Sequence, residues 1–162
     1  MSVKKNDPVS CDWKKKSAKK DNKSLDNKSR LYRCAGNFAW RGIKTELYKP
    51  IKPAGKDWAE IVRQTLIGNH GETTKFHLRY FEIAPGGFSS LEMHKHEHVV
   101  IGIRGKGICA AGKKKYEIGF LDTLYIKPGE PHQLRNISNK PFGFFCIVNA
   151  KRDRPKILDA HQ

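Results

Sequence analysis

The sequence reads Pro85-Gly86-Gly87-Phe88-Ser89-Ser90-Leu91-Glu92-Met93-His94-Lys95-His96-Glu97-His98 and, further along, Pro128-Gly129-Glu130-Pro131-His132-Gln133-Leu134-Arg135-Asn136. These two stretches hold four of the seven histidines in the chain, three of them spaced at i, i+2 and i+4. Imidazole is the commonest protein ligand for divalent transition metals, and clustered imidazoles are costly without one. The two stretches together therefore indicate a metal site.

The spacing of these histidines limits which of them can share one metal. Side chains alternate between the two faces of a strand, and each residue adds about 3.3 Å. Residues i and i+2 can therefore reach one metal, whereas His94 and His98 on a straight strand lie about 13 Å apart. They can share a metal only if the chain turns at Lys95-His96-Glu97, which is polar and suits a turn. The neighbouring pair on the strand is then either Glu92 with His94 or His94 with His96.

The flanking sequence is predicted to form short β-strands. Apolar and β-branched runs are separated by turn residues such as Gly105-Lys106-Gly107, and Pro85-Gly86-Gly87 is expected to end the first run. The predicted strands are Phe76–Ala84, Ser90–Lys95, His98–Arg104, Ile108–Ala111, Lys115–Ile118, Leu121–Ile126, His132–Asn136 and Phe142–Asn149. Many short strands at this spacing, with few helical patterns, favour an all-β antiparallel sandwich or barrel.

The N-terminal part of the chain has a different composition. Residues 1–30 are rich in Lys, Asn, Asp and Ser and poor in apolar side chains, so we predict a disordered tail. Residues 38–48 are predicted as a short strand or arm, and Trp58–Ile67 combines β-branched residues with a potential helical turn. Because 162 residues is the size of one domain, we expect a single barrel domain over residues 31–162 with an N-terminal arm.

The chain is strongly basic, with a formal net charge of +16. Residues 1–33 contribute eleven basic and four acidic side chains, and the other 129 residues contribute twenty-one and twelve. Nucleic-acid binding favours arginine forks and aromatic platforms, whereas here lysine predominates and the basic residues are scattered. We therefore expect a solvated surface that steers a small anionic substrate, and rank nucleic-acid binding through the tail third among the hypotheses.

Cysteine usage and hydropathy point to an intracellular setting. Cys11, Cys34, Cys109 and Cys146 are widely separated and form no C-x-x-C pair, so neither a disulfide framework nor a cysteine zinc site is expected. No apolar run is long enough to span a membrane, and none follows the basic N-terminus. We expect a cytoplasmic protein with no membrane partner.

The histidine pattern resembles the two motifs of the cupin superfamily. Gly87…His94-x3-His98-x6-Gly105 is similar to the first motif, G(x)5HxH(x)3-4E(x)6G. Asp122…Gly129-x2-His132-x3-Asn136 is similar to the second, G(x)5PxG(x)2H(x)3N. The resemblance covers about residues 76–149 and implies a double-stranded β-helix, the cupin or jelly-roll barrel, with one metal bound inside.

Alignment with these motifs implies a ligand set. Counted back from Gly105, Glu92 and His94 stand at the two histidine positions and His98 stands at the glutamate position. The implied metal ligands are Glu92, His94, His98 and His132, or a set in which His96 replaces Glu92. Such ligands suit one divalent transition metal ion, Mn, Fe, Ni or Zn, and contain no thiolate that would favour a structural zinc.

Several other residues are expected to have structural roles, and for some the sequence leaves the role undecided. Gly129 is expected to permit a tight turn, and Asn136 to bond its own loop. Cys146 is expected in the core, with a place near the metal as the alternative. Ordinary surface or core roles are expected for His70, His77 and His161. The strand that carries Arg79, Tyr80 and Glu82 is apolar on both faces, so its periodicity does not tell which side chains point inward.

The resemblance implies a function class but no single reaction. It permits dioxygenase, isomerase, lyase and decarboxylase chemistry, so the leading hypothesis is a metal-dependent enzyme acting on a small-molecule substrate. The stretch from Arg79-Tyr80-Phe81-Glu82 to Arg152-Asp153-Arg154-Pro155 is similar to small bacterial cupins linked to methylthio-sugar-phosphate salvage, which implies a phosphorylated ketose and sulfur transfer at Cys146. The alternative is a non-catalytic metal or small-molecule sensor. Dimers are common among cupins, so residues 31–48 are a candidate arm for a homodimer.

Overall fold

The computed structural model describes residues 28–50 and 57–158, and these ranges contain β-strands and turns but no helix. No segment in them forms a helix that is long and apolar enough to cross a membrane. The strands are β1 (Glu46–Leu47), β2 (Ala59–Ile67), β3 (Phe76–Phe88), β4 (Glu92–Met93), β5 (His98–Arg104), β6 (Gly107–Ala111), β7 (Lys114–Ile118), β8 (Thr123–Ile126), β9 (His132–Arg135), β10 (Phe142–Asn149) and β11 (Lys156–Ile157). The all-β prediction is confirmed. The predicted tail, apart from residues 28–30, and His161 lie outside the described ranges.

The strands form one antiparallel sheet that curves into two walls. In the first wall β1 pairs with β2, β2 with β3, β3 with β10, β10 with β5, and β5 with β8. In the second wall β11 pairs with β4, β4 with β9, β9 with β6, and β6 with β7. The two walls are joined where Phe88 of β3 pairs with Arg135 of β9. This arrangement is the predicted jelly-roll barrel.

The hydrophobic core fills the space between the two walls. Side chains alternate along a strand, so one set from each strand points inward. The buried core residues include Ile61, Phe81, Ile83, Val100, Ile126, Leu134, Phe142, Phe144, Cys146 and Val148. Cys146 pairs with Arg79 on one side and with Val100 on the other, so all three side chains project from the inner face of the first wall. The inner face of this wall therefore carries Arg79 among its apolar residues.

The N-terminal arm covers the outer face of the first wall. Tyr80 is 1% exposed because its ring packs against Phe38, Trp40 and Phe145, with centroid separations of 5.7, 5.2 and 6.0 Å. Within the predicted arm, Glu46–Leu47 forms a strand, and it pairs with β2 of the same chain. Tyr80 and Glu82 thus point outward, which settles the orientation that periodicity left open.

Two sequence-based predictions of strand structure are wrong. The potential helical turn within Trp58–Ile67 is instead strand β2, because its β-branched residues pair along β3. The strand that starts at Phe76 does not end at Pro85 but continues to Phe88 through an irregular register with β2. Gly86 adopts a φ of 77° there and its N–H donates to the Asn136 carbonyl, so pairing with the end of β9 keeps the chain extended.

Strand lengths elsewhere agree to different degrees with the predictions. His98–Arg104 and Phe142–Asn149 are confirmed with the predicted bounds. Ser90–Lys95 contracts to Glu92–Met93, since the chain turns immediately afterwards. The strand predicted from Leu121 begins only at Thr123, because Leu121 adopts a left-handed φ of 65° in the preceding turn.

Asn136 closes the loop between β9 and β10 and is 2% exposed. Its Nδ2 donates to the carbonyls of Ile83 and Lys140, each at 2.8 Å. Its Oδ1 accepts from the Ser138 N–H at 2.9 Å and from the Ser138 hydroxyl at 2.8 Å. The predicted structural role is confirmed, and the bond to Ile83 also fastens this loop to β3.

Replacement of Asn136 should destabilise the barrel. Asn136→Ala leaves buried carbonyl and N–H groups without partners, and we expect the free energy of unfolding to fall by about 2–4 kcal/mol. Asn139→Ala is the matched control, because Asn139 is exposed and lies in the same loop. Chemical denaturation of both variants measures the difference, and equal stability of the two would contradict this role of Asn136.

Candidate metal centre

Three of the predicted ligands meet inside the barrel. His94 follows β4, His98 begins β5 and His132 begins β9. Each ring offers one nitrogen atom such that the three atoms all lie within 4.8 Å of one another, and all three side chains are buried. The group is able to bind a metal ion. Because His98 belongs to the first wall and His132 to the second, the group lies between the two walls.

The chain reaches this geometry by turning between His94 and His98, as predicted. The His94 Nδ1–H donates to the carbonyl of His96 at 2.7 Å, which closes the turn from inside. The Gly129 N–H donates to the carbonyl of His94 at 2.7 Å. Gly129 has a φ of 72°, a conformation that favours glycine, so the predicted tight turn is confirmed. This bond ties the loop before His132 to the turn after β4.

Hydrogen bonds set the tautomers of two of the rings. The Nδ1–H of His94 donates to a carbonyl, and the Nδ1–H of His132 donates to the Glu130 carbonyl at 2.9 Å. Neutral rings held in this way carry their lone pair on Nε2. The Nε2 atoms of His94 and His132 are both buried, and neither has a hydrogen-bond partner. Such orphaned lone pairs are costly in a protein interior, and a shared divalent cation satisfies them, so the donor set fits a metal.

Burial keeps the histidine rings in the form that binds metals. It lowers the pKa of His98 far below the ordinary value, and the neighbouring rings of His132 and His94 lower it further. Burial also lowers the pKa of His94, with His96 and His132 contributing. A neutral imidazole has a free lone pair whereas an imidazolium does not, so both rings remain competent as ligands at neutral pH.

Glu92 and His96, the two candidates for a fourth ligand, lie beside the group of three. The carboxylate of Glu92 forms an ion pair with Lys49 and accepts from the Ser90 hydroxyl at 3.0 Å. His96 Nε2 lies 3.3 Å from His98 Nε2, and its Nδ1–H donates to an Asp153 carboxylate oxygen at 2.7 Å. Both Glu92 and His96 are buried.

His96, His98 and His132 line a cavity of about 190 Å³ between the walls. The lining also includes Glu92, aromatic side chains and four cations, namely Lys49, Arg63, Arg79 and Arg152. Cys146 also lines it, with Sγ 3.9 Å from His98 Nδ1 and 3.4 Å from Arg79 Nη2, which donates to it. Burial raises the pKa of Cys146, and the charge of Arg79 opposes this shift. Cys146 is thus both a core residue and a neighbour of the metal centre.

Sequence reasoning missed several residues of this cavity. Lys49 and Arg63 belong to segments that precede the motifs, and no spacing in the sequence relates them to the histidines. The ordinary roles expected for His70 and His77 agree with the structure. His70 Nε2 bonds the Thr65 carbonyl at 2.8 Å, and His77 lies next to Arg152, so both are outside the group of three.

Comparison with known proteins agrees with this architecture. The family profile described as "Cupin domain" matches residues 79–148. The 1-methylthio-D-xylulose 5-phosphate methylsulfurylase of Rhodospirillum rubrum is 34% identical over 120 residues, which are 74% of this chain and 74% of that protein. A crystal structure of a cupin 2 conserved barrel domain protein from Rhodopseudomonas palustris is 33% identical, with a TM-score of 0.73 over 81% of this chain and 88% of that chain. A cupin-2 domain structure from Rhodospirillum rubrum is 31% identical, with a TM-score of 0.67 over 83% of each chain.

The fold and the histidine group define a small double-stranded β-helix protein with an internal site able to hold a metal. Sequence identity above 30% over most of the chain shows that these proteins share a common ancestor as well as an architecture. The chain belongs to the cupin family.

Loss of a single histidine from the group should remove the metal. We expect protein purified without chelators to contain about one divalent transition metal per chain, and His98→Ala and His132→Ala to contain almost none, because the remaining ligands bind too weakly. Elemental analysis by mass spectrometry measures the content. His70→Ala is the control, since His70 is outside the group, and it should keep the wild-type content. Equal metal content in all four proteins would contradict the site.

Proposed function

We propose that this protein is a metal-dependent enzyme that acts on a small phosphorylated ketose. The observation that carries the proposal is the cavity itself, which is lined by His132 with its orphaned Nε2, by the Cys146 thiol and by several cations. When bound there, a divalent metal acts as a Lewis acid that polarises a substrate carbonyl. His94, His98 and His132 are the residues that would hold it.

The fourth ligand position has two candidates, and the contacts favour His96 over Glu92. Two imidazole nitrogens that bind neighbouring positions of one cation would lie roughly 3–3.5 Å apart, given bonds of about 2.1 Å. The Nε2 atoms of His96 and His98 are 3.3 Å apart, a close approach of two acceptors that a shared cation relieves. Asp153 accepts from His96 Nδ1–H, the arrangement by which carboxylates orient ligand histidines. Glu92 is already engaged with Lys49.

A pair of variants assigns this position. We expect His96→Ala to weaken metal binding at least about tenfold, and Glu92→Gln to leave it within about threefold, because only the first removes a ligand. Competition with a chromogenic chelator measures both affinities. Glu97→Gln controls for the removal of a nearby carboxylate that has no role at the site. The reverse ranking would assign the position to Glu92, as the predicted ligand set has it.

The substrate class follows from the cations and from a relative. The Rhodospirillum rubrum protein, 34% identical, is named for 1-methylthio-D-xylulose 5-phosphate, a ketose with a phosphate at one end and a thioether beside its carbonyl. The cavity of this chain offers matching chemistry, with cations for a phosphate, imidazoles for a metal that binds the carbonyl, and a thiol. We therefore propose a methylthio ketose phosphate as the substrate.

In the proposed reaction the thiolate of Cys146 attacks the thioether sulfur. A bond forms between the Cys146 sulfur and the methylthio sulfur, and the bond from that sulfur to the sugar carbon breaks. The electron pair passes to the carbon next to the carbonyl, which gives an enolate that takes up a proton. Cys146 is left as a methyl disulfide, which a small thiol reduces in a second exchange. With its lone pair on Nε2, His98 donates from Nδ1–H to the thiolate, as does Arg79.

Replacement of Cys146 tests this step. The metal-loaded protein, given a 1-methylthio ketose 5-phosphate and a small thiol, should release the deoxyketose phosphate, which NMR detects. Without the thiol, a methylthio adduct should appear on the protein by mass spectrometry. Cys146→Ser should lower turnover at least about a thousandfold and form no adduct, because its hydroxyl cannot replace the thiolate.

Cys34→Ser is the matched control, because Cys34 is exposed and lies in the N-terminal arm. This variant should keep the wild-type rate. Full turnover by Cys146→Ser would remove the cysteine from the chemistry. Binding of the sugar phosphate by the wild type without any turnover would favour the non-catalytic sensor instead.

A further inference from the structure

Three arginines line the cavity. Arg63 comes from β2, Arg79 from β3, and Arg152 from the segment that follows β10. Arg63 pairs in register with Phe81, and Arg79 lies two residues from Phe81, so the two arginines project from the same inner face. Partial removal from water lowers the pKa of Arg152, and the like charges of Arg79 and Arg63 lower it further. The Arg152 guanidinium therefore lies close enough to Arg79 and Arg63 to be repelled by both.

Protein carboxylates do not neutralise this cluster. Among the described residues, no Asp or Glu forms an ion pair with Arg79 or Arg152. The remaining member, Arg63, makes a long contact of 3.4 Å to Glu46, and both of those side chains are about a third or more exposed. Glu92, the carboxylate that lines the cavity, is paired with Lys49. Gathering like charges without a counterion is unfavourable. An anionic ligand would relieve the electrostatic repulsion among these arginines.

Arg79 is held with unused hydrogen-bond donors. Its guanidinium lies 5.1 Å from the centroid of the Phe81 ring, and its Nη2 donates to Cys146. Its Nε–H is buried and has no hydrogen-bond partner among the described residues. Arg152 uses its Nη1 on the carbonyls of Asn149 and Ala150, at 3.1 and 3.4 Å. The planar fork of each arginine thus keeps donors available for a tetrahedral or planar oxyanion.

We infer that Arg63, Arg79 and Arg152 form a binding site for the phosphate monoester of the substrate. The site lies in the same cavity as the metal centre, and Arg79 and His98 contact opposite sides of the Cys146 sulfur. A phosphate bound by the arginines would place the rest of a short sugar alongside Cys146 and the histidines. The identity of the sugar rests on the proposed function, but the binding of a phosphate group does not.

Binding without turnover tests this site. The metal-loaded full chain is titrated by calorimetry with inorganic phosphate, with a ketopentose 5-phosphate, and with the same ketopentose lacking the phosphate. We expect the wild type to bind the first two and not the third. Arg79→Gln and Arg152→Gln should each weaken phosphate binding at least about tenfold, because each removes charge-assisted hydrogen bonds.

Arg135→Gln is the matched control, since Arg135 lies 5.3 Å over the Phe88 ring, much as Arg79 lies over Phe81, but does not line the cavity. This variant should bind like the wild type. Circular dichroism checks that each variant is folded. If Arg79→Gln does not fold, Arg152→Gln alone tests the site, because Arg152 is exposed and its replacement should not disturb the core. Wild-type affinity in both cavity variants, or equal binding of the two ketopentoses, would overturn the site.

The metal-free His98→Ala protein separates the arginines from the metal as the phosphate receptor. Phosphate binding that persists in this variant supports the arginine site, and binding that disappears with the metal assigns the phosphate to the ion and overturns it. Phosphate binding with no turnover of any methylthio sugar would leave the arginine site standing while the proposed reaction fails. Turnover of a methylthio sugar phosphate that is unchanged in the arginine variants would overturn the arginine site while the proposed reaction stands.

Discussion

Three imidazole rings must present unprotonated nitrogen atoms to one buried point, and much of the structure serves this requirement. The carbonyls of His96 and Glu130 hold the Nδ1 protons of His94 and His132, so the lone pairs face inward. Those carbonyls are in position because the chain turns after β4 and the Gly129 N–H fastens the two loops together. Burial lowers the pKa of His94 and of His98 and so keeps these two rings neutral. The backbone hydrogen bonds of two short loops thus decide the tautomers of His94 and His132.

Imidazole lone pairs and guanidinium groups line one cavity. The lone pairs are suited to a cation, whereas the guanidinium groups are suited to an anion. Cys146 stands between them and contacts both His98 and Arg79. A substrate with a carbonyl, a thioether and a phosphate would satisfy the cavity along its length. This complementarity links the proposed reaction to the fold, because the inner faces of β3, β5 and β10 supply Arg79, His98 and Cys146 respectively.

The success of the sequence-based predictions followed the strength of the local signal. His98–Arg104 and Phe142–Asn149 were predicted with correct bounds because each is a continuous apolar run that ends at turn residues. The helical turn within Trp58–Ile67 was wrong because β-branched residues near a turn fit either structure, and only pairing with β3 decides between them. The sequence predicts that the strand ends at Pro85, yet the Gly86 N–H donates to the Asn136 carbonyl and the Asn136 N–H donates to the Gly87 carbonyl, and these long-range bonds carry the strand past the proline.

The sequence by itself determined the family, the all-β class and the three histidines, because motif spacing and strand periodicity are local properties of the chain. Only the tertiary structure decided which other side chains join them. Lys49 meets Glu92 across 43 positions, Arg79 meets Cys146 across 67, and Asp153 meets His96 across 57. Such contacts depend on how strands from different parts of the chain are set side by side, and no spacing within one segment encodes that register.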